Sequence, residues 1–246
     1  MVNILICGAG GKMGSTLLEL LESDTQAKAV CGVDIHTPAN VHIPIYETFD
    51  EVKEKVNAII DFSSPAALTD ELNWAVKNGV PVVLGSTGFD CGHLKIIDES
   101  AKKIAIFKTA NFSLGVNLLI KLVREAAEAL GDKFDIEIIE KHHSLKADAP
   151  SGTALMLADS ANTGNKNYLF GRGTTSGKRK NEIGIHAVRG GSIVGEHEVL
   201  FAGEDEIVTL SHSARSKKVF AAGAIKAALF LAGKPAGKYD MGDIIG

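Results

Sequence analysis

Short apolar runs along this chain alternate with stretches whose apolar residues recur every three or four positions, which predicts strands and helices in turn. Residues 2–7, 27–34, 58–62, 80–84 and 104–107 read as strands. Leu17, Leu18 and Leu21 mark a helix after the first strand, and Leu68, Leu72 and Val76 mark another after the third. Strands that are apolar throughout and separated by helices predict a parallel sheet buried on both faces, with a ligand crevice outside the carboxyl ends of its strands. From 114 to 130 the period is that of a long amphipathic helix. Phe134, Ile136 and Ile138 then alternate with Asp135 and Glu137, the pattern of a strand with one buried face, and a helix is predicted from about Ser151. The Gly-, Thr-, Lys- and Asn-rich stretch 162–181 reads as an exposed loop. Strands follow at 183–189, 193–201 and 206–212, and Val219 to Leu231 reads as a final helix returning to the first half.

Composition narrows the function classes. The chain has 246 residues, 45% of them hydrophobic and 23% charged, enough for one large domain or two small ones. Its formal net charge of -4 offers no electrostatic case for nucleic acid. No apolar run approaches the roughly 20 residues of a membrane span. Met1, Val2 and Asn3 lead straight into a strand without the marks of an export signal, so a cytoplasmic location is expected. Cys7, Cys31 and Cys91 show no paired metal-type spacing and are expected to be buried thiols, with no metal site.

The first strand ends in Gly8-Ala9-Gly10-Gly11-Lys12-Met13-Gly14 and a helix follows. In a dinucleotide fold the first glycine makes the turn, the next admits the pyrophosphate, and the last lets helix and strand pack closely. Asp34 closes the second strand about 20 residues later, the position expected to bind an adenosine ribose hydroxyl. Ile35 follows it rather than an arginine, so NADH should be accepted, while Lys12 and His36 keep NADPH open. The loops at Ser63-Ser64-Pro65 and Gly85-Ser86-Thr87-Gly88 end two further strands and are expected to face the nicotinamide. The fold class is therefore α/β: an N-terminal Rossmann-type dinucleotide-binding domain, 1–111 with 217–246, plus a C-terminal α+β domain with an open mixed sheet, 112–216, for substrate binding and oligomerisation. The uncovered face of that sheet is the expected oligomer interface.

The densest chemistry lies in 140–153, where His142, His143 and Lys146 stand between a strand end and the helix start at Pro150-Ser151-Gly152-Thr153. A helix start carries unpaired N–H groups and the positive end of the dipole, so a carboxylate or phosphate is the natural guest, with His142 and Lys146 as proton sources. Any one of these residues alone is more often a cap or a surface group, but two imidazoles and an ammonium repel when charged, and structure alone gains little from crowding them. A nucleotide sensor would need Gly8 to Gly14 and would have no use for His142 and Lys146.

The segments Glu140-Lys141-His142-His143 to Lys146, Asp148 to Ala154, Ala110 to Asn117 and Ile193 to His197 closely resemble the 4-hydroxy-tetrahydrodipicolinate reductase (dihydrodipicolinate reductase) family, nearly end to end. The resemblance implies NAD(P)H-dependent reduction of a cyclic dicarboxylate imine in the diaminopimelate route of lysine biosynthesis, by a homotetramer. It also implies His142 as proton donor, Lys146 as its partner, and His143, Lys146, Ser151, Gly152 and Thr153 around the substrate carboxylates. The implied cofactor residues are Gly8, Gly11, Lys12, Met13, Asp34, Gly85, Thr87, Ala110, Asn111 and Phe112. Lys217 stands where relatives often carry an arginine; lysine keeps the charge and loses the planar fork.

Overall fold

The structure, a computed structural model, describes residues 1–36, 41–174 and 177–246. In chain order its elements are β1 (Val2–Cys7), α1 (Lys12–Glu22), β2 (Ala27–Val33), β3 (Ile45–Tyr46), β4 (Ala58–Asp61), α2 (Leu68–Asn78), β5 (Val82–Leu84), α3 (Cys91–Ala101) and β6 (Ala105–Lys108). Then come α4 (Leu114–Leu130), β7 (Asp135–His142), α5 (Gly152–Ala161), β8 (Asn167–Phe170), β9 (Glu182–Arg189), β10 (Gly195–Ala202) and β11 (Ile207–Ala214). The chain ends with α6 (Lys218–Leu231), β12 (Gly237–Tyr239) and α7 (Met241–Ile245). Two units result, Met1–Ser113 with Lys218–Gly246, and Leu114–Lys217.

The first unit is a parallel sheet in the order β12-β6-β5-β4-β1-β2-β3. Alternation along β1 explains why its strands are apolar throughout. Ile4 and Ile6 pack against Leu17 and Leu21 of α1 and the alanines of α6, whereas Leu5 and Cys7 pack against Leu68 and Leu72 of α2 and Ile97 of α3. The reversal of strand order beside β1 brings the loops after β1, β2 and β4 to one edge, where open α/β sheets bind ligands. Phe112 belongs to this unit because its ring lies 5.6 Å from Phe62 and 6.1 Å from Phe107. The unit boundaries therefore fall after Ser113 and before Lys218, slightly beyond the positions 111 and 217 read from the pattern.

The second unit is a mixed sheet in the order β11-β10-β7-β9-β8, with β10 antiparallel to both neighbours and β7, β9 and β8 parallel. Ile136, Ile138, Ile183, Ile185, Val199 and Phe201 form one face and pack against α4 and α5. Glu140 and His142 continue the same period-2 register, so the core face of β7 ends in a buried carboxylate and a buried imidazole.

Some expectations need correction. Within the stretch 162–181, read as a loop, residues 167–170 form β8, which pairs with β9 through a backbone ladder that polar composition conceals. Thr175 and Ser176 of that stretch lie outside the described residues. Cys7 and Cys31 are buried, but Cys91 opens α3 and is exposed.

Candidate active site

In the first unit the turn from β1 into α1 is built for close approach. Gly8 has φ +81°, and a Cβ on Gly14 would stand 2.2 Å from the Gly8 carbonyl oxygen, so a larger residue would force α1 off the strand end. Gly11 caps α1 with no side-chain hydrogen bond. The first turn thus presents backbone N–H groups and no competing side chain to an anion. Asp34 is pinned beside this turn: its carboxylate accepts the Gly10 N–H at 2.8 Å and the His36 N–H at 2.8 Å. Gly8, Gly11, Asp34, His36, Ser63 and Ser64 line a cleft of about 930 Å³.

The remaining cofactor candidates do not line that cleft. Lys12 is exposed and Met13 half-buried in the first turn of α1. Gly85 and Thr87 follow β5, while Ala110, Asn111 and Phe112 follow β6, on the same edge of the parallel sheet as Gly8. The Phe112 ring is core, so only its backbone is available to a ligand. Asn111 shapes its own turn, accepting the Ser113 N–H at 2.8 Å.

Behind the cleft, Cys7, Asp61 and the fully buried Glu71 bring their ligand-type atoms within 4.8 Å of one another. Asp61 accepts both the Ser63 N–H at 2.7 Å and the Ser63 hydroxyl at 2.5 Å. Neither Glu71 oxygen has a hydrogen-bond partner. Burial, and secondarily the Asp61 charge, holds the Glu71 carboxyl well above the usual range, and burial likewise pushes the Cys7 thiol up. Glu71 and Cys7 thus keep their protons beside Asp61.

In the second unit the chain from β7 to α5 gathers His142, Lys146 and Ser151. His142 Nδ1 lies 2.6 Å from Glu140 Oε2. Glu140 is fully buried and also accepts both terminal nitrogens of Arg189 at 2.7 Å and the Ser151 N–H at 3.0 Å. Burial pushes its pKa up, but the guanidinium, His142 and the Ser151 N–H outweigh it and hold the carboxyl below its usual value. Arg189 also donates to the Asp148 carbonyl at 2.6 Å, tying the loop to the sheet. Ser151 caps α5 by accepting the Ala154 N–H at 3.2 Å, and its hydroxyl meets His197 Nε2 at 2.9 Å. Gly152 opens the helix with no atom within 4 Å of where a Cβ would stand, and Thr153 is half-buried beside it.

Charge is distributed unequally among these groups. The rings of His142 and His197 meet edge to face with centroids 5.2 Å apart. Burial, then the neighbouring His142, pushes His197 down to about 4, so it is neutral at physiological pH. Lys146 pairs with Asp148 at 2.8 Å, an ion pair that holds the Asp148 carboxyl below its usual value. His143 is half-buried, and its Nδ1 has no hydrogen-bond partner. The crowding of cations thus has a physical answer: Glu140 and Asp148 supply the counter-charges and His197 stays neutral. The arrangement can present imidazole N–H groups and the Lys146 ammonium to a carboxylate guest at a helix start.

Sequence reasoning assigned no role to Glu140, Arg189 or His197. Glu140 had a readable signal, because it lies two residues before His142 on the face that Ile136 and Ile138 mark as buried. Arg189 and His197 are placed by strand register, Arg189 opposite His142 and His197 opposite Glu140.

Comparison with known proteins adds an independent line. Residues 2–112 match the family described as dihydrodipicolinate reductase, N-terminus, and residues 115–245 the family described as dihydrodipicolinate reductase, C-terminus. A 4-hydroxy-tetrahydrodipicolinate reductase of Caldanaerobacter subterraneus subsp. tengcongensis is 49% identical over 100% of this chain and 98% of its own length. One of Clostridium tetani is 43% identical over 98% and 96%. Among solved structures, the dipicolinate-bound dihydrodipicolinate reductase from Paenisporosarcina sp. TG-14 superposes with a TM-score of 0.80 at 25% identity, covering 98% of this chain and 97% of that one.

Proposed function

The chain belongs to the dihydrodipicolinate reductase family and reduces 4-hydroxy-tetrahydrodipicolinate to tetrahydrodipicolinate in lysine and diaminopimelate biosynthesis, and we propose that its two units divide that work between cofactor and substrate. A nicotinamide cofactor is the hydride source. The Gly8 to Gly14 turn, the uncapped start of α1 and the pinned Asp34 carboxylate fit a dinucleotide. Asp34 would accept from the adenosine ribose, and the first turn of α1 would hold the pyrophosphate. Gly85, Thr87 and Ala110 to Phe112 would border the nicotinamide half. With an acidic residue at this position and Ile35 next to it, NADH is accepted well, and Lys12 and His36 allow NADPH as a second donor.

Lys146, His143 and the opening of α5 at Ser151, Gly152 and Thr153 hold the substrate carboxylates. Glu140 engages His142 Nδ1, which leaves Nε2 as the ring nitrogen free to exchange a proton with the substrate. The nitrogen side of the conjugated ring gathers negative charge as hydride is added, and the proton at His142 and the Lys146 ammonium offset that charge. The observation that carries this reading is the sharing of one short segment by an imidazole paired with a buried carboxylate, an ammonium and a capped helix start.

The test is direct. The purified chain, supplied with the product of the preceding synthase, should oxidise NADH and NADPH, and His142→Ala and Lys146→Ala should lose turnover while keeping cofactor affinity. Full turnover in both variants would remove the assignment of these two residues. The open face of the second sheet, with half-buried Glu137, Ile139, Lys141, Glu196 and Leu200, is the proposed seat of a homotetramer, checked by light scattering. No helix among the described residues is long and apolar enough to cross a membrane; the cytoplasm is the proposed location, checked by cell fractionation.

A further inference from the structure

We propose that Glu140, held in place by Arg189, is the positioning residue for His142: it orients the ring, fixes its tautomer and so decides which ring nitrogen faces the substrate. The proposal rests on the reading of His142 as proton donor. Three observations support it. Glu140 is fully buried yet ionised, with its hydrogen-bonding capacity spent on four donors: two guanidinium nitrogens, the Ser151 N–H and His142 Nδ1. A buried carboxylate of this kind is retained only if its partners repay its desolvation, and a single imidazole could not do so alone. The planar guanidinium grips both oxygens, so Oε2 keeps its place 2.6 Å from Nδ1. Finally, the strand constrains the pair, since residues two apart on β7 project from the same face.

The geometry also separates the two neighbouring imidazoles. His197 meets a hydroxyl, not a carboxylate, and its Nδ1 is buried without a partner, so it serves as a neutral wall for His142. The charged or titratable groups around His142 are Glu140 on its own strand, Arg189 on β9, His197 on β10, with His212 on β11 behind it, and Lys146 and Asp148 on the loop. Among them Glu140 is the carboxylate in contact with the ring.

The experiment uses the full-length enzyme as assembled and follows kcat and KM across pH. Glu140→Gln keeps the shape and one acceptor but removes the charge. It should lower kcat about 10- to 100-fold, leave the cofactor KM unchanged, and move the basic limb of the kcat profile to lower pH by about one unit. Arg189→Gln removes a cation from the same carboxylate and should move that limb the opposite way. In a His142→Ala background Glu140→Gln should cost nothing further. The proposal is overturned if Glu140→Gln keeps parental kcat and profile, if both variants move the limb in one direction, or if the loss persists undiminished in the His142→Ala background. Should Glu140→Gln fail to fold, the direction of the Arg189→Gln shift decides alone. Ring 15N shifts of His142 are read without turnover. Nδ1 protonated in the parent and a mixture of tautomers in Glu140→Gln would support the pairing even if His142→Ala retained activity, which would sink the proton-donor reading alone; unchanged shifts would overturn the pairing itself.

Discussion

Replacing Glu71 with glutamine should make this protein more stable, by an amount that grows with pH. Glu71 is completely buried, its carboxyl oxygens have no partner, and the Asp61 carboxylate lies within 4.8 Å, so the folded state holds it protonated. Burial first, and Asp61 second, place its folded pKa well above the ordinary 4.5. Between those two values the native chain binds one more proton than the unfolded chain. Stability must then fall as pH rises, by up to about 1.4 kcal/mol for each pH unit, until the pH passes the folded value. Glutamine has nearly the same shape and no proton to lose, and its amide can donate toward Asp61. The two proteins should therefore be close in stability near pH 4.5 and diverge by about 1.4 kcal/mol for each unit above it. Urea unfolding at pH 5, 6, 7 and 8 would measure this. The single tryptophan, Trp74, lies three residues along α2 from Glu71 and reports on the right unit. The pH at which the curves cease to diverge locates the folded pKa. Parallel curves for parent and variant across the whole range would refute the reasoning.

Other consequences can be measured in the same protein. Gly14→Ala sets a Cβ 2.2 Å from the Gly8 oxygen and should cost about 1–3 kcal/mol through overpacking, with weaker NADH binding, read by thermal melts and fluorescence titration. Ser151→Ala removes the cap of α5 and the hydroxyl facing His197; stability should fall by about 1 kcal/mol and the substrate KM should rise, while an unchanged melt would remove the capping role. His197 has the opposite linkage to Glu71, because its folded pKa of about 4 lies below the ordinary 6.5. The unfolded chain then binds the extra proton, so stability falls as pH drops from 6.5 toward 4, by two and a half units at ~1.4 kcal/mol each, or roughly 3.5 kcal/mol. His197→Phe should flatten that acid limb; retention of the full slope would place the titrating group elsewhere.

Period and punctuation alone determined most of the architecture. Apolar runs such as 58–62, separated by helices, fit a parallel sheet buried on both faces, and after β1 glycine supplies the positive φ at position 8 and the close approach at position 14 that the turn requires. Elements with little side-chain pattern stayed hidden. β3 is two residues long, β8 lies in a polar stretch and β12 pairs along the sheet edge, so each exists because a neighbouring strand offers hydrogen bonds. The active segment was legible in the same uneven way: His142, Lys146 and the capped start of α5 are adjacent in sequence and announce an anion site. Arg189 and His197, 47 and 55 positions beyond His142, reach it only through the register of β9 and β10 against β7. Local chemistry is written in spacing along the chain, whereas charge balance around a buried group is set by whichever distant residues the sheet brings alongside, and only the tertiary structure decides that.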